Sequence, residues 1–217
     1  FEKTGHLDLN FGFKKIGLLT SVTFTDFDDI RSGNSRSPFH GDWGLHPEYI
    51  ETVDGEDIVR ENDNPIILKN TGYHQYNILQ KFRFRPNEKY DLGINFHFSN
   101  SSDIQRYDRL TEYQTFTDSV GTETQRLKNA EWYYGPQQWM MASAHLEIDS
   151  ISKVFDYANI TAAFQKVGED RIDRKFGRTD RRHREETVTV ATLNADFTKN
   201  INKRHRLNYG AEVVFND

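Results

Sequence analysis

Residues 90–99 read YDLGINFHFS. Tyr90, Leu92, Ile94, Phe96 and Phe98 stand on the even positions, with Asp91, Gly93, Asn95, His97 and Ser99 between them. Successive side chains of a strand point to opposite faces, so this stretch folds as a strand with one apolar and one polar face. Outward from it, the same alternation recurs with Leu7, Leu9, Phe11 and Phe13 against His6, Asp8, Asn10 and Gly12. Further apolar stripes are Tyr76, Ile78, Phe82 and Phe84; Met140, Ala142, Ala144, Leu146 and Ile148; Ala158, Ile160, Ala162 and Phe164; and Leu207, Tyr209, Ala211, Val213 and Phe215.

About eight such strands group into four hairpins. They pair 5–13 with 16–27, 73–85 with 89–100, 137–148 with 154–166, and 185–198 with 205–216. The turns within hairpins are short and carry Lys, Pro, Asn, Asp and Ser. The connections between hairpins, 28–72, 101–136 and 167–184, are long and all fall at the same end. Structureless loops of more than about 15 residues are uncommon in compact soluble domains. Short turns at one end and long loops at the other are the layout of an outer-membrane barrel, with the turns periplasmic and the loops extracellular. The expected fold is therefore all-β: an antiparallel transmembrane β-barrel segment filling residues 1–217. The polar faces carry Lys81, Arg83 and Glu147, which suit a watery lumen better than lipid or a sandwich core. The competing reading is the solvated outer face of a soluble sheet. In this register Trp139, Met141, Val188 and Val190 face the polar side, a placement that a one-residue bulge would reverse.

Composition is consistent with this. The chain has 217 residues, among them 16 Phe, 10 Tyr and 3 Trp, types that suit strands and interfacial girdles. Mean hydropathy is −0.81, and no stretch approaches the roughly 20 apolar residues of a spanning helix. There are no cysteines, which removes disulfide frameworks, thiol catalysis and Cys-type zinc sites. A net charge of −5 gives nucleic-acid binding no bulk support. The chain starts at Phe1 without a leader pattern and stops in mid-alternation, and it reads as a piece of a larger protein.

Several separated strings carry a family likeness: TSVTFTDFDDIRSGNSR (20–36), TGYHQYNILQKFRF (71–84), FSNSSDIQRYDRL (98–110), LKNAEWYYGPQQWMMASAHLE (127–147), ITAAFQKVGEDRIDRKFG (160–177) and the final stretch 183–217. Together they resemble the barrel of TonB-dependent outer-membrane receptors, most closely Bacteroidetes-type members of the iron, haem and siderophore group. The resemblance implies a 22-stranded barrel with a plugged lumen, of which these strands are one part. It implies residence in the bacterial outer membrane and transport of an iron chelate (siderophore) or haem without bond-making. It also implies coupling to the TonB complex through a plug domain that this chain does not contain, and it leaves room for a surface lipoprotein partner.

The loops hold the candidate binding residues. The first contains Phe39, His40, Trp43, His46 and Tyr49, and imidazole suits iron. Haem ligation by His40 or His46 stands beside simple loop packing. In the second, Arg106, Tyr107 and Arg109 form a candidate clamp for an anionic ligand through charge-assisted hydrogen bonds. The alternative is ion pairing of the arginines with Asp103 or Asp108. The string from Glu131 to Pro136 reads as an aromatic girdle with a Gly-Pro turn, or as a stacking surface for ligand. The charge-dense third loop either meets lipopolysaccharide phosphates or neutralises itself. Asp26, Asp28 and Asp29 lack the calcium-loop pattern, so no metal site or cofactor of the protein's own is expected. His74, Ser99 and Asp103 are loosely placed for an enzyme, with no triad spacing, so no catalytic site is expected. A small self-closed eight-stranded barrel with an adhesive or structural role is the second functional reading.

Overall fold

The computed structural model describes residues 1–35, 38–39 and 41–217. In chain order the elements are β1 (Glu2–Gly12), β2 (Ile16–Phe27), β3 (Glu48–Val53), β4 (Glu56–Glu61), β5 (Tyr73–Asn87), β6 (Tyr90–Ser101), β7 (Ile104–Gln105), α1 (Tyr107–Leu110), β8 (Tyr113–Thr117), β9 (Glu123–Leu127), β10 (Asn129–Asp149), β11 (Tyr157–Lys175), β12 (Arg181–Asn202) and β13 (His205–Asn216). The protein is all-β. Its main sheet is an antiparallel meander in the order β1-β2-β5-β6-β10-β11-β12-β13, with β7 attached to β10. Two small hairpins, β3–β4 and β8–β9, stand outside it. Among the described residues β1 and β13 do not pair with each other, so the eight long strands form an open sheet and not a closed barrel.

The register carries the apolar faces into one surface. A single cross-strand row runs Phe11, Leu18, Phe82, Ile94, Ala144, Ala162, Leu193 and Val213. The adjacent row, on the opposite face, runs Asn10, Leu19, Lys81, Asn95, Ser143, Ala163, Thr192 and Val214. On β5 the apolar stripe from Tyr76 to Phe84 is about 27 Å long at about 3.4 Å per residue. Aromatic contacts mark both ends of the band. Phe155, Phe197 and Tyr209 cluster at the turn end, with successive ring centroids 5.6 and 5.2 Å apart, and Tyr76 meets Phe98 at 5.9 Å toward the loops.

Nothing within the described residues covers this band. Leu193 is 51% exposed and Val213 66%. Among the described residues the buried apolar ones are few: Leu68, Leu127, Ala158 and Ile172. Three of these four lie toward the loops, where the small packed core sits.

The expected phases of the fifth and seventh strands hold without a compensating bulge. Trp139 faces the polar side, 5.7 Å from His97 between ring centroids, and Val188 and Val190 pair with Val167 and Gln165 on that same side. β10 is irregular at two places, between Asn129 and Glu131 and between Gly135 and Gln138, where a bulge accommodates Pro136. The expected Gly-Pro turn is thus a bulge within a continuous strand.

The larger corrections concern the loops. β10 starts at Asn129, β11 runs on to Lys175 and β12 begins at Arg181, so the expected third loop shrinks to residues 176–180. Charge did not stop these strands because it is paired across them. Several directly opposed residues are like-charged, as in Asp170 with Glu185 and Arg171 with Arg184, although Asp173 opposes Arg182. The diagonal neighbours satisfy them: Arg171 with Glu186 at 3.1 Å, Asp173 with Arg184 at 3.0 Å and Asp170 with His183 at 3.0 Å. Diagonal positions lie within reach of long side chains. The other two connections are also partly ordered, by the hairpins β3–β4 and β8–β9 and by the single helical turn α1.

Candidate functional site

The first long connection is anchored at its base by backbone chemistry. Asp29 Oδ1 accepts the N–H groups of Thr71 (2.7 Å) and Gly72 (2.9 Å), and the Thr71 hydroxyl accepts the Ile30 N–H at 2.8 Å. A side chain at position 72 would place its Cβ 2.9 Å from the Phe27 carbonyl oxygen, so the clip requires glycine there. Buried Asn62 donates to the carbonyls of His46 and Ile67, both at 2.8 Å. These bonds set the hairpin β3–β4 above the sheet. Its turn is Asp54-Gly55, with φ of 51° and 85°, the paired positive values of a type I′ turn.

The hairpin is pinned to the wall by Arg174, which is 7% exposed. All five guanidinium N–H donors are matched. Nη2 donates to Asp57 Oδ1 (2.7 Å) and Thr52 Oγ1 (3.0 Å), and Nη1 to Asp57 Oδ2 and the Arg178 carbonyl (both 2.8 Å). Nε donates to Glu131 Oε1 at 2.7 Å. Arg181 shares the Glu131 carboxylate, with Nη2 2.7 Å from Oε2. The Asp57 side chain is 1% exposed and also accepts the Gly177 N–H at 2.8 Å. Burial pushes both carboxyls up, yet Arg174 and the Gly177 amide hold Asp57 below its ordinary range, and Arg181 and Arg174 do the same for Glu131. The hydrogen bond to Asp57 in turn raises the Arg174 guanidinium.

Between this pinned hairpin, α1 and the start of β10 lie two adjoining hollows, of about 630 and 160 Å³. His46, Glu48, Leu68, Tyr107 and Thr111 line both. Trp43, Tyr113 and Leu127 line the larger one, and Lys69, Glu131 and Tyr133 the smaller. Burial lowers the His46 pKa, which favours the neutral imidazole. Tyr113 faces Glu48, and burial together with that carboxylate pushes its phenol up to about 12, so it stays protonated.

Three of the sequence-derived candidates, Trp43, His46 and Tyr107, are therefore brought to one crevice although they come from two different loops. His40 lies outside the described residues. The two arginines take the alternative role. Arg106 Nε donates to Asp108 Oδ1 at 2.9 Å, its Nη1 reaches the Tyr134 hydroxyl at 3.3 Å, and its guanidinium lies 4.7 Å from the centre of the Trp132 ring. Arg109 contacts Asp108 at 3.8 Å and Glu112 at 3.6 Å. His74 and Ser99 fall on opposite faces of the sheet, His74 beside Phe24 and Ser99 bonded to Asn77.

Comparison with known proteins returns no match: no family model, no curated protein and no solved structure. What the site can do is therefore argued from its own residues. Sequence reasoning missed Glu48, Leu68, Thr111 and Tyr113, which line the crevice, and Arg174 and Asp57, which hold its hairpin. The Asp54-Gly55 pair was a legible hairpin signal for β3–β4. The Arg174–Asp57 contact spans 117 residues and leaves no local trace.

Proposed function

We propose that this chain forms part of the wall and outer loops of a bacterial outer-membrane transport receptor of the TonB-dependent kind, one that takes up an iron chelate or haem. The observation that carries the membrane reading is the exposed apolar band. It crosses all eight long strands in register, and its opposite face bears Lys81, Arg83, Asp91 and Glu147. Contiguous apolar surface of this extent marks a membrane or partner face, and apolar-out, polar-in alternation is the pattern of a spanning barrel. No helix of the described residues is long and apolar enough to cross a membrane, so strands carry any crossing. The unpaired edges of β1 and β13 favour a larger barrel over a self-closed eight-stranded one.

In this reading the strands are scaffold and the loops confer specificity. The ligand enters the crevice around Trp43, His46 and Tyr107, and passage through the lumen follows rearrangement of a plug coupled to TonB. The test is uptake of radiolabelled ferric chelates and haem under iron limitation, in cells with and without the gene and with and without TonB. Uptake of one of them should fall at least tenfold in both mutant strains. Undiminished uptake of all of them would remove the transport reading.

A further inference from the structure

The crevice walls combine rings, aliphatic groups and hydroxyls: Trp43, Tyr107 and Tyr113 with Leu68, Leu127 and Thr111. Its charges are a separate matter. Asp108 is held by Arg106 and Arg109. Glu131 is held by Arg174 and Arg181. Lys69 is paired with Asp63 at 3.2 Å. The Glu48 carboxylate faces the Tyr113 hydroxyl. Among the described residues no arginine lines the hollows: an entering anion meets the carboxylates of Glu48, Asp108 and Glu131 against the one ammonium of Lys69, and a cation meets Asp108 and Glu131 already held by arginines and Glu48 beside the Tyr113 hydroxyl. An anion thus enters against like charge, and a cation must displace arginines from existing pairs, of which the buried Glu131–Arg174 pair is costly to break. An uncharged molecule breaks none of them. It stacks an apolar ring face on the tyrosines and Trp43 and exchanges hydrogen bonds with Thr111 and Glu48.

We propose that this crevice binds an uncharged, ring-bearing, hydroxyl-rich ligand, and that it discriminates against anions of the same size. The proposal rests on the receptor reading for its biological setting, but its test does not: binding to purified protein is measured without transport. The consequence for that reading is specific. A neutral chelate suits the crevice, whereas the two carboxylates of haem do not.

The test uses two probes that share a ring and differ in charge, 4-nitrophenyl β-glucoside and 4-nitrophenyl phosphate. Each is titrated calorimetrically into the purified full-length protein in neutral detergent at pH 7. The glucoside should bind saturably and at least tenfold more tightly than the phosphate. Tyr107→Ala should weaken glucoside binding about tenfold, because it removes a stacking wall, whereas Tyr107→Phe should retain it. Thr111→Lys, which adds an unpaired cation to the wall, should shift the preference toward the phosphate. Equal or tighter binding of the phosphate by the unaltered protein overturns the proposal, as does the absence of saturable glucoside binding. Undiminished iron uptake in cells lacking the gene, with neutral-ligand binding to the purified protein intact, would count against the transport reading alone.

Discussion

One strand, β10, contains two opposed kinds of construction. From Met140 to Ile148 its alternate residues Met140, Ala142, Ala144, Leu146 and Ile148 contribute to an apolar surface that nothing in the described chain covers. From Asn129 to Tyr134 it is surrounded by loop structure, and there the buried groups are polar: Asn129, which is 1% exposed, and Glu131 with Arg174 and Asp57. In the membrane reading proposed above, the lower half depends on an external apolar solvent. The upper half depends on hydrogen bonds and ion pairs formed within the chain. The difference teaches where substitutions of each kind do harm: a charge is destructive in the lower half, and the removal of a charge is destructive in the upper.

The largest expected effect is in the upper half. Arg174→Ala leaves Asp57 and Glu131 facing one another in a poorly solvated site, and breaking a buried ion pair from one side costs about 3–5 kcal/mol. The loss falls on the β3–β4 hairpin and not on the apolar band, because Asp57 and Thr52 are the hairpin groups that Arg174 holds. Hydrogen exchange of residues 48–61 should accelerate by more than a hundredfold, with residues 140–148 unchanged. Exchange of the hairpin at its original rate would show that the hairpin does not depend on this residue.

In the lower half the same logic inverts. Ala144 lies in the apolar row and Ser143, its neighbour, in the polar one. An arginine facing lipid near the bilayer midplane costs about 2–4 kcal/mol. Ala144→Arg should therefore reduce assembly into lipid vesicles by well over tenfold, and Ser143→Arg should leave it within about twofold. Equal behaviour of the two variants, measured by protease protection in vesicles, would undo the assignment of the faces.

The pH dependence sharpens the comparison further. Asp57 and Glu131 are held below their ordinary values of 3.8 and 4.5. A carboxyl whose folded pKa is depressed contributes stability that is present above the unfolded value and lost as pH falls through the folded one. The latch should thus be at full strength from pH 7 down to about 5 and weaken progressively below about 4. Hairpin exchange measured across pH, corrected for its intrinsic rate, should show this loss, while the band at residues 140–148 stays protected. A hairpin that loosens between pH 7 and 6 points to a histidine instead.

These two halves were not equally legible. The lower one follows from a period of two, so β5, β6 and β13 could be placed almost residue by residue, and even the awkward Trp139 and Val190 kept their register. The upper half obeys no local period. Arg171, Asp173 and Arg184 look like solvated loop when read singly and extend β11 and β12 when paired diagonally across the sheet. The crevice needs Trp43 and Tyr107 from separate loops, and the latch needs Asp57 beside Arg174, contacts that only the folded chain defines. A chemical inventory identified Trp43, His46 and Tyr107. It did not show that those three meet in one crevice while Arg106 and Arg109 contact Asp108, because such contacts are defined only in the folded chain.

The smallest effect tests that competition. Arg109 contacts Asp108 at 3.8 Å and Glu112 at 3.6 Å, and its side chain is 44% exposed. Exposed ion pairs contribute about 0–1 kcal/mol, since water screens them and ordering two flexible side chains offsets the attraction. Asp108 retains Arg106 at 2.9 Å and Glu112 retains Lys128, so the removal of Arg109 orphans neither carboxylate. Arg109→Ala should therefore change neither the hydrogen exchange of the second loop nor glucoside binding by more than about twofold. The contrast with Arg174→Ala then isolates burial as the variable, because both substitutions remove one guanidinium that touches two carboxylates. A large loss of ligand binding in Arg109→Ala, with loop exchange unchanged, would mean that the arginine leaves Asp108 when ligand arrives. That outcome would restore the anion clamp that its resting geometry argues against.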